Sequence, residues 1–364
     1  MKQAAEEHRF PCNTCGSDLR FDPAEGLLVC DYCGNRQPVQ EDFFQTPTLE
    51  EQDYRQALST LMPATQMQEA RYVTCTNCGA RIEIEGPEHA IECPFCATPI
   101  VADSGTSRQI KPHGQIPFSV TEKNARKSMT DWLGKLWFAP NGLKEYARKG
   151  RKMQGIYVPY WTYDADTRSD YTGDRGTVYY VSRTVRRDGK NVTIREQKIR
   201  WRRVSGHVAR FFDDILVLAS RSLPKKYTDA LEPWDLSALE PFNPGYLAGF
   251  GAEGYTVELD EGFKEAGIYM DRMIRRDVRF DIGGDRQRIS SLNTKISDIT
   301  YKHVLLPVWL AAYKYRGKTY RFVVNGQSGR VQGERPWSAW KIAFAAISLA
   351  VIAATIGYLA AQNR

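Results

Sequence analysis

The chain has 364 residues, 42% hydrophobic and 26% charged, with a formal net charge of +7, a composition that fits a globular body of two or three domains. The net charge hides a division: residues 1–100 carry seven Lys/Arg against sixteen Asp/Glu, whereas residues 101–364 carry 43 against 27. A nucleic-acid module needs Lys and Arg to displace counterions from phosphates, so the first hundred residues have the wrong sign for that role.

All eight cysteines lie in this acidic part, in two copies of one pattern. Cys12-x2-Cys15-Gly16 is followed after fourteen residues by Cys30-x2-Cys33, and Cys75-x2-Cys78-Gly79 after fourteen by Cys93-x2-Cys96. Each cysteine of the first set lies 63 positions before its counterpart, and Leu19, Phe21 and Leu28 match Ile82, Ile84 and Ile91. Two thiolates three residues apart on a tight turn grip one tetrahedral Zn²⁺, and a second such turn brought in by a hairpin closes the shell. The pattern predicts zinc ribbons over residues 8–40 and 71–101, each folding on its own metal. Four cysteines per site leave no open position, so both ions are structural. Gly16, Gly34 and Gly79 stand where the backbone turns through positive φ, and Ala97 departs from that rule. The competing readings are disulfides and a redox CxxC, but the opening MKQAAEEHRF has no apolar stretch to direct the chain to an oxidising compartment.

Residues 41–70 are expected to be a helical linker. Thr48-Leu49-Glu50-Glu51 has the form of a capping box, Tyr54, Leu58 and Leu61 follow at helical spacing, and Pro63 ends the run. Residues 102–115 read as a second linker, and residues 116–336 as a basic α+β domain with antiparallel hairpins. There Ala125, Met129, Trp132, Leu133 and Leu136 form one helical stripe before Pro140. Residues 155–163 and 177–184 are β-prone, and Asp188-Gly189 is a hairpin signal leading into residues 191–204. On the returning strand Lys198, Arg200 and Arg202 share one face, with Ile199 and Trp201 on the other. This basic ladder suits an anionic surface, whether lipid head groups, RNA or an acidic protein such as the chain's own ribbons, and the competing reading is an ordinary solvated sheet face. Helices are predicted over 227–239 and 261–276, and strands over 303–313 and 319–324, with a turn at Asn325-Gly326.

That domain shows no catalytic constellation, and the chain is not expected to be an enzyme. Gly317-Lys318-Thr319 looks like the end of a phosphate loop, but Ala312 stands where its first glycine belongs, and the triplet lies in a predicted hairpin. Asp213-Asp214 reads as a turn or cap. His8, His89, His113, His207 and His303 are scattered, with no HExxH and no nucleophile elbow.

The tail reads differently. Ile342 to Ala361 are twenty residues without a charge, about 30 Å of helix and the thickness of a bilayer core. Trp337, Trp340 and Lys341 precede it as an interfacial anchor, so residues 337–364 are expected to be a C-terminal transmembrane anchor. The competing reading is a buried core helix. Ala346, Ala350, Ala353, Ala354 and Gly357 form a stripe of small residues that would let a partner helix or a second copy approach closely. The basic flank, the reduced cysteines and the absent signal sequence predict a single-pass inner-membrane protein with cytoplasmic N-terminal domains.

The ribbons combine with Ile116-Pro117-Phe118, residues 155–164 (GIYVPYWTYD), residues 246–250 (YLAGF), residues 324–329 (VNGQSG) and residues 333–336 (GERP). With them the chain resembles, over nearly its whole length, bacterial zinc-ribbon membrane proteins often labelled primosomal protein N′ or superfamily II helicase-like. Some members are encoded beside an SPFH (flotillin-like) protein and act as its membrane partner. The resemblance implies a membrane-anchored adaptor that docks proteins through its ribbons. A nucleic-acid-binding protein tethered at the membrane is the alternative.

Overall fold

The computed structural model describes residues 10–39, 49–59, 67–83, 90–96, 98–101, 105–137, 153–187, 190–315, 318–334 and 338–362. The first ribbon is a three-stranded meander of β1 (Leu19–Asp22), β2 (Leu27–Cys30) and β3 (Arg36–Gln37), with Phe21 opposite Leu28. Next come β4 (Gln52–Asp53) and α1 (Tyr54–Leu58). Asp53 caps this helix by accepting from Gln56 N at 2.7 Å. The cap differs from the expected box because β4 pairs with Thr300 and Tyr301, which fixes the chain as extended up to Asp53. Thr48, Leu61 and Pro63 lie outside the described residues.

The second ribbon contains β5 (Met67–Thr74), β6 (Arg81–Glu83), β7 (Ala90–Glu92) and β8 (Pro99–Val101). It is joined by β9 (Gly105–Ile110), which pairs antiparallel with β5 from Met67↔Ile110 to Tyr72↔Gly105. Strand β5 thus begins inside the stretch expected as helical linker, and β9 lies inside the one expected as linker. Polar composition hid β9, whose backbone groups are satisfied by β5.

After β10 (Gly114–Gln115), α2 (Glu122–Lys135) buries Ala125, Met129 and Leu133 as its stripe predicts, and its N-cap is Thr121. The frame of the molecule then begins with β11 (Gln154–Arg187) and β12 (Lys190–Leu218), of 34 and 29 residues. The two separate strands expected at 155–163 and 177–184 are one continuous strand. The helix expected over 227–239 is a single turn at Lys225–Thr228 followed by 3-10 turns at Asp229–Leu231 and Leu236–Ala238, since Pro233 cannot continue a helix. The remaining elements are β13 (Glu240–Pro241), β14 (Gly251–Ala252), α3 (Leu259–Ile282), β15 (Arg286–Tyr315), β16 (Lys318–Asn325), β17 (Val331–Gly333) and α4 (Ala339–Gln362).

Strand β11 runs antiparallel to β12 on one side and to β15 on the other. The far edge of β15 is lined in turn by β4, β10 and β16. Side-chain alternation divides the ribbons between the two faces of this sheet. Ile156, Val158, Tyr160, Val304, Leu306 and Val308 point to one face and pack with Val73, Ala80, Ile82, Phe95 and Ile100 of the second ribbon. Tyr157, Leu305 and Trp309 point to the other and pack with Leu19, Phe21 and Leu28 of the first ribbon and with α2. The ribbons are therefore parts of two of the three hydrophobic cores, which corrects the expectation of self-contained modules.

Farther along, the first ribbon's face is covered by α3, which buries Leu259, Ala266, Met270, Ile274, Val278 and Ile282 every fourth residue or so. Trp161 Nε1 donates to Val257 O at 2.9 Å and Tyr163 OH to Leu259 O at 2.7 Å, fixing where the helix starts. Arg210 pairs with Asp277 at 2.6 Å, and Arg175 donates to Ile282 O at its end.

Candidate metal centres

Three of the four Cys-x2-Cys turns are built alike, and the fourth shares the bond made by their first cysteine's N–H. Gly16, Gly34 and Gly79 donate to the carbonyls of Cys12, Cys30 and Cys75 at 2.8–2.9 Å, with φ of 75°, 73° and 73°. Cys12, Cys30, Cys75 and Cys93 donate in turn to the carbonyls of Ser17, Asn35, Ala80 and Thr98. The loop thus curls around its own sulfurs, the geometry that φ > 0 at glycine permits. Ala97 lies outside the described residues.

The two turns of each ribbon face one another. Cys12 and Cys33 Sγ are 3.6 Å apart and Cys15 and Cys30 3.5 Å; in the second ribbon both Cys75–Cys96 and Cys78–Cys93 are 3.6 Å. Within each set all four sulfurs lie within 4.8 Å of one another. A tetrahedron of Zn–S bonds of about 2.3 Å puts its sulfurs about 3.8 Å apart, so both sets fit one Zn²⁺ each and neither is disulfide-bonded. Two closed four-thiolate sites hold two structural zinc ions. The thiols also share protons unequally: the hydrogen bond with Cys93 pulls Cys78 down to about 5, and the same contact pushes Cys93 upward. Burial pushes Cys12 up but is outweighed by the N–H groups of Thr14 and Cys15, leaving it at about 6. Deprotonated sulfur is the form a metal takes.

Residues 6–37 match the family model described as the zinc-finger of RNA-polymerase I-specific TFIIB, Rrn7. This chain is also similar to "Uncharacterized protein YdjG" of Bacillus subtilis (strain 168), with 26% identity over 345 residues covering 92% of each chain. No solved structure matches it.

The repeat is not symmetric in its surroundings. Tyr32 in the second turn of ribbon 1 is 83% exposed, whereas Phe95, 63 residues later, is 1% exposed within the core. Ribbon 1 instead attaches through its hairpin: Phe21 packs edge-on to Tyr246 with centroids 5.1 Å apart and near Phe250 at 6.5 Å, and Phe21 N donates to Ala248 O at 3.0 Å. The same short segment reaches ribbon 2, where Gly254 N donates to Arg81 O at 2.9 Å and Ile82 bridges Glu253. Between these contacts β14 pairs with Ile156 and Tyr157. Residues 246–255 therefore tie both ribbons to the sheet edge.

The remaining predicted residues lie elsewhere. Lys198, Arg200 and Arg202 are exposed on one face of β12, far along the chain register from either metal set. Helix α4 contains the one candidate membrane span among the described residues, Trp340–Leu359, and none of it is buried. Ala346, Ala350, Ala353, Ala354 and Gly357 are exposed along it. Trp340 is 80% exposed at its start, and Lys341 Nζ donates to Trp137 O at 3.1 Å. Trp337 lies outside the described residues.

Two clusters escaped the sequence. Lys302, buried on β15, has Asp214 at 2.8 Å, Glu51 at 3.2 Å and Asp164 at 3.8 Å. Asp214 is no simple turn residue: it sits in β12 with φ 49° beside a register shift and donates its N–H to Asp164 Oδ1 at 2.5 Å. Burial pushes Asp164 up to about 6. Nearby, His303 N donates to His113 Nδ1 at 2.8 Å, and burial lowers His113 to about 4 and His303 to about 3. Both rings are neutral packing elements, with the His303 ring centroid 4.8 Å from that of Trp161 and tilted 41° to it. These residues are far apart in sequence and share no local motif, so only the fold brings them together.

Proposed function

We propose that the protein is a membrane-anchored scaffold rather than an enzyme. In this reading α4 spans the inner membrane once, with Trp340 and Lys341 at the interface and residues 1–336 in the cytoplasm. Its small-residue stripe meets a partner helix or a second copy of the chain. The first ribbon is the docking element, and the second is the keystone that holds the sheet together.

The observation that carries this reading is the opposite exposure of Tyr32 and Phe95. A closed zinc site does no chemistry, yet it holds its turn rigidly, and a rigid exposed aromatic is the kind of anchor that dominates protein interfaces. The partner implied by the family resemblance is an SPFH-type protein. The test is purification of tagged full-length protein and its Tyr32→Ala variant from detergent-solubilised membranes, with identification of co-purifying protein and nucleic acid. The scaffold reading expects an SPFH-type protein with the wild type and its loss with Tyr32→Ala. Co-purification of nucleic acid alone would overturn it.

A further inference from the structure

The end of the β11–β12 hairpin stands apart from the rest of the molecule. Strand β15 pairs with β11 only as far as Gly176↔Arg286, and α3 ends at Ile282. Beyond this point Thr177–Arg187 and Lys190–Arg200 continue as eleven cross-strand pairs. Neither a third strand nor a helix covers them among the described residues.

This two-stranded extension is basic on both faces. The extension, residues 177–200, contains seven Lys/Arg against two Asp/Glu, and Arg202 adjoins it. By register, Arg183, Lys198, Arg200 and Arg202 share one face, and Arg186 and Arg195 the other. All six are exposed, and among the described residues none of them has a carboxylate partner. Arg195 and Arg200 instead lie 5.4 Å from the rings of Tyr180 and Tyr179. Tyr180 is 59% exposed and Ile194 49%. An isolated hairpin is marginal in water. Cations two residues apart on one strand, about 6.6 Å, repel within the Debye length of about 8 Å. Both costs fall when a polyanion encloses the hairpin.

We propose that this hairpin is a nucleic-acid arm that lies in the major groove of duplex DNA. The DNA major groove admits a two-stranded β-ribbon and offers phosphates along both walls, matching cations on both faces. A bilayer surface would meet only one face. The register also sets the arm away from the span: Lys341 is held at Trp137, beside the end of the sheet that packs against the ribbons. From Gln154, at that end, to Tyr180 the strand extends on the order of 85 Å. A-form RNA has a deep, narrow major groove, so DNA is the better fit.

The test is fluorescence anisotropy of a labelled 20-base-pair DNA duplex with full-length protein in phosphatidylcholine nanodiscs. Binding is expected at 50 mM salt and should weaken about 10²-fold by 200 mM, as for roughly four neutralised phosphates. Lys198→Glu/Arg200→Glu/Arg202→Glu and Arg186→Glu/Arg195→Glu should each weaken binding at least about tenfold, with zinc content and unfolding midpoint unchanged. Should a reversal variant misfold, the corresponding Gln substitutions provide the same test. Duplex RNA of the same sequence should bind more weakly. Absent DNA binding, binding untouched by both variants, or equal binding to RNA would overturn the proposal. So would loss of DNA binding in nanodiscs containing phosphatidylglycerol, since the arm would then be lying on lipid.

Discussion

Tyr32 and Phe95 occupy the same position in the two ribbons, 63 residues apart, and face opposite environments: the tyrosine ring is in solvent and the phenylalanine ring in the core against the central sheet. Duplication supplied two metal clamps of the same spacing, and the second turn of one packs against the sheet while the second turn of the other faces solvent. Phe95→Ala is therefore expected to destabilise the protein by about 3–5 kcal/mol through a core cavity. Tyr32→Ala should stay within about 0.5 kcal/mol of wild type. Denaturant unfolding of the two variants checks this; equal effects would show that the ribbons are energetically equivalent.

Metal content gives a second expectation. The purified protein should carry two zinc ions and no redox-active disulfide. Cys15→Ser, at an exposed ligand, should remove one zinc and loosen residues 10–39. Cys78→Ser should remove one zinc and also lower the unfolding midpoint of the whole body, because three of its site's four ligands, Cys75, Cys93 and Cys96, are buried in a core shared with β11 and β15, whereas Cys15 and Cys33 of the first site are exposed. Elemental analysis and thermal unfolding read both effects. Iron, or a folded protein without metal, would contradict the assignment.

The Lys302 cluster predicts a pH dependence. Asp164 is raised to about 6 by burial, against about 3.9 in an unfolded chain. Its contribution to stability is complete below about 3.9 and is lost as pH rises through about 6. The unfolding midpoint of wild type minus that of Asp164→Asn should therefore fall between pH 4 and pH 7. Glu51, which burial pushes up but Thr300, Asp164 and Lys302 together hold below its usual range, opposes this effect and is coupled to Asp164, so the comparison is made in a Glu51→Gln background. A difference that rises with pH would mean that Lys302 holds Asp164 ionised.

The tail is tested by fractionation. Full-length protein should resist carbonate extraction, and truncation after Arg335 should release it from membranes. Ala350→Leu and Gly357→Leu should keep it in the membrane while reducing cross-linking between helices. If the truncated protein remains bound, the anchor lies elsewhere.

The features legible in the sequence were those with local causes. Cysteine spacing fixes a metal site within some twenty residues, the helix expected over 261–276 lies within Leu259–Ile282, and the charge-free run from Ile342 to Ala361 lies in a helix long and apolar enough to cross a membrane. The long arm was hidden because its polar positions look like interruptions. Asp166, Arg168, Asp170 and Asp174 alternate with inward residues because one sheet face is solvent and the other lies under α3. Gly173 and Gly176 resemble turns but mark close packing: a Cβ at Gly173 would lie 2.3 Å from Arg288 O, and one at Gly176 2.9 Å from Trp201. The docking of the ribbons on opposite faces depends on alternation at Tyr157 and Val158, which becomes readable once the sheet is known.

A membrane scaffold that docks its partner through the first ribbon must touch that partner at Tyr32, and a photo-cross-linking residue placed there in full-length protein in intact cells captures the contact. The expected result is a discrete adduct in the membrane fraction, identified by mass spectrometry as an SPFH-type protein and absent when the cross-linker replaces the buried Phe95. No adduct at position 32, or adducts to lipid and nucleic acid alone, would contradict it.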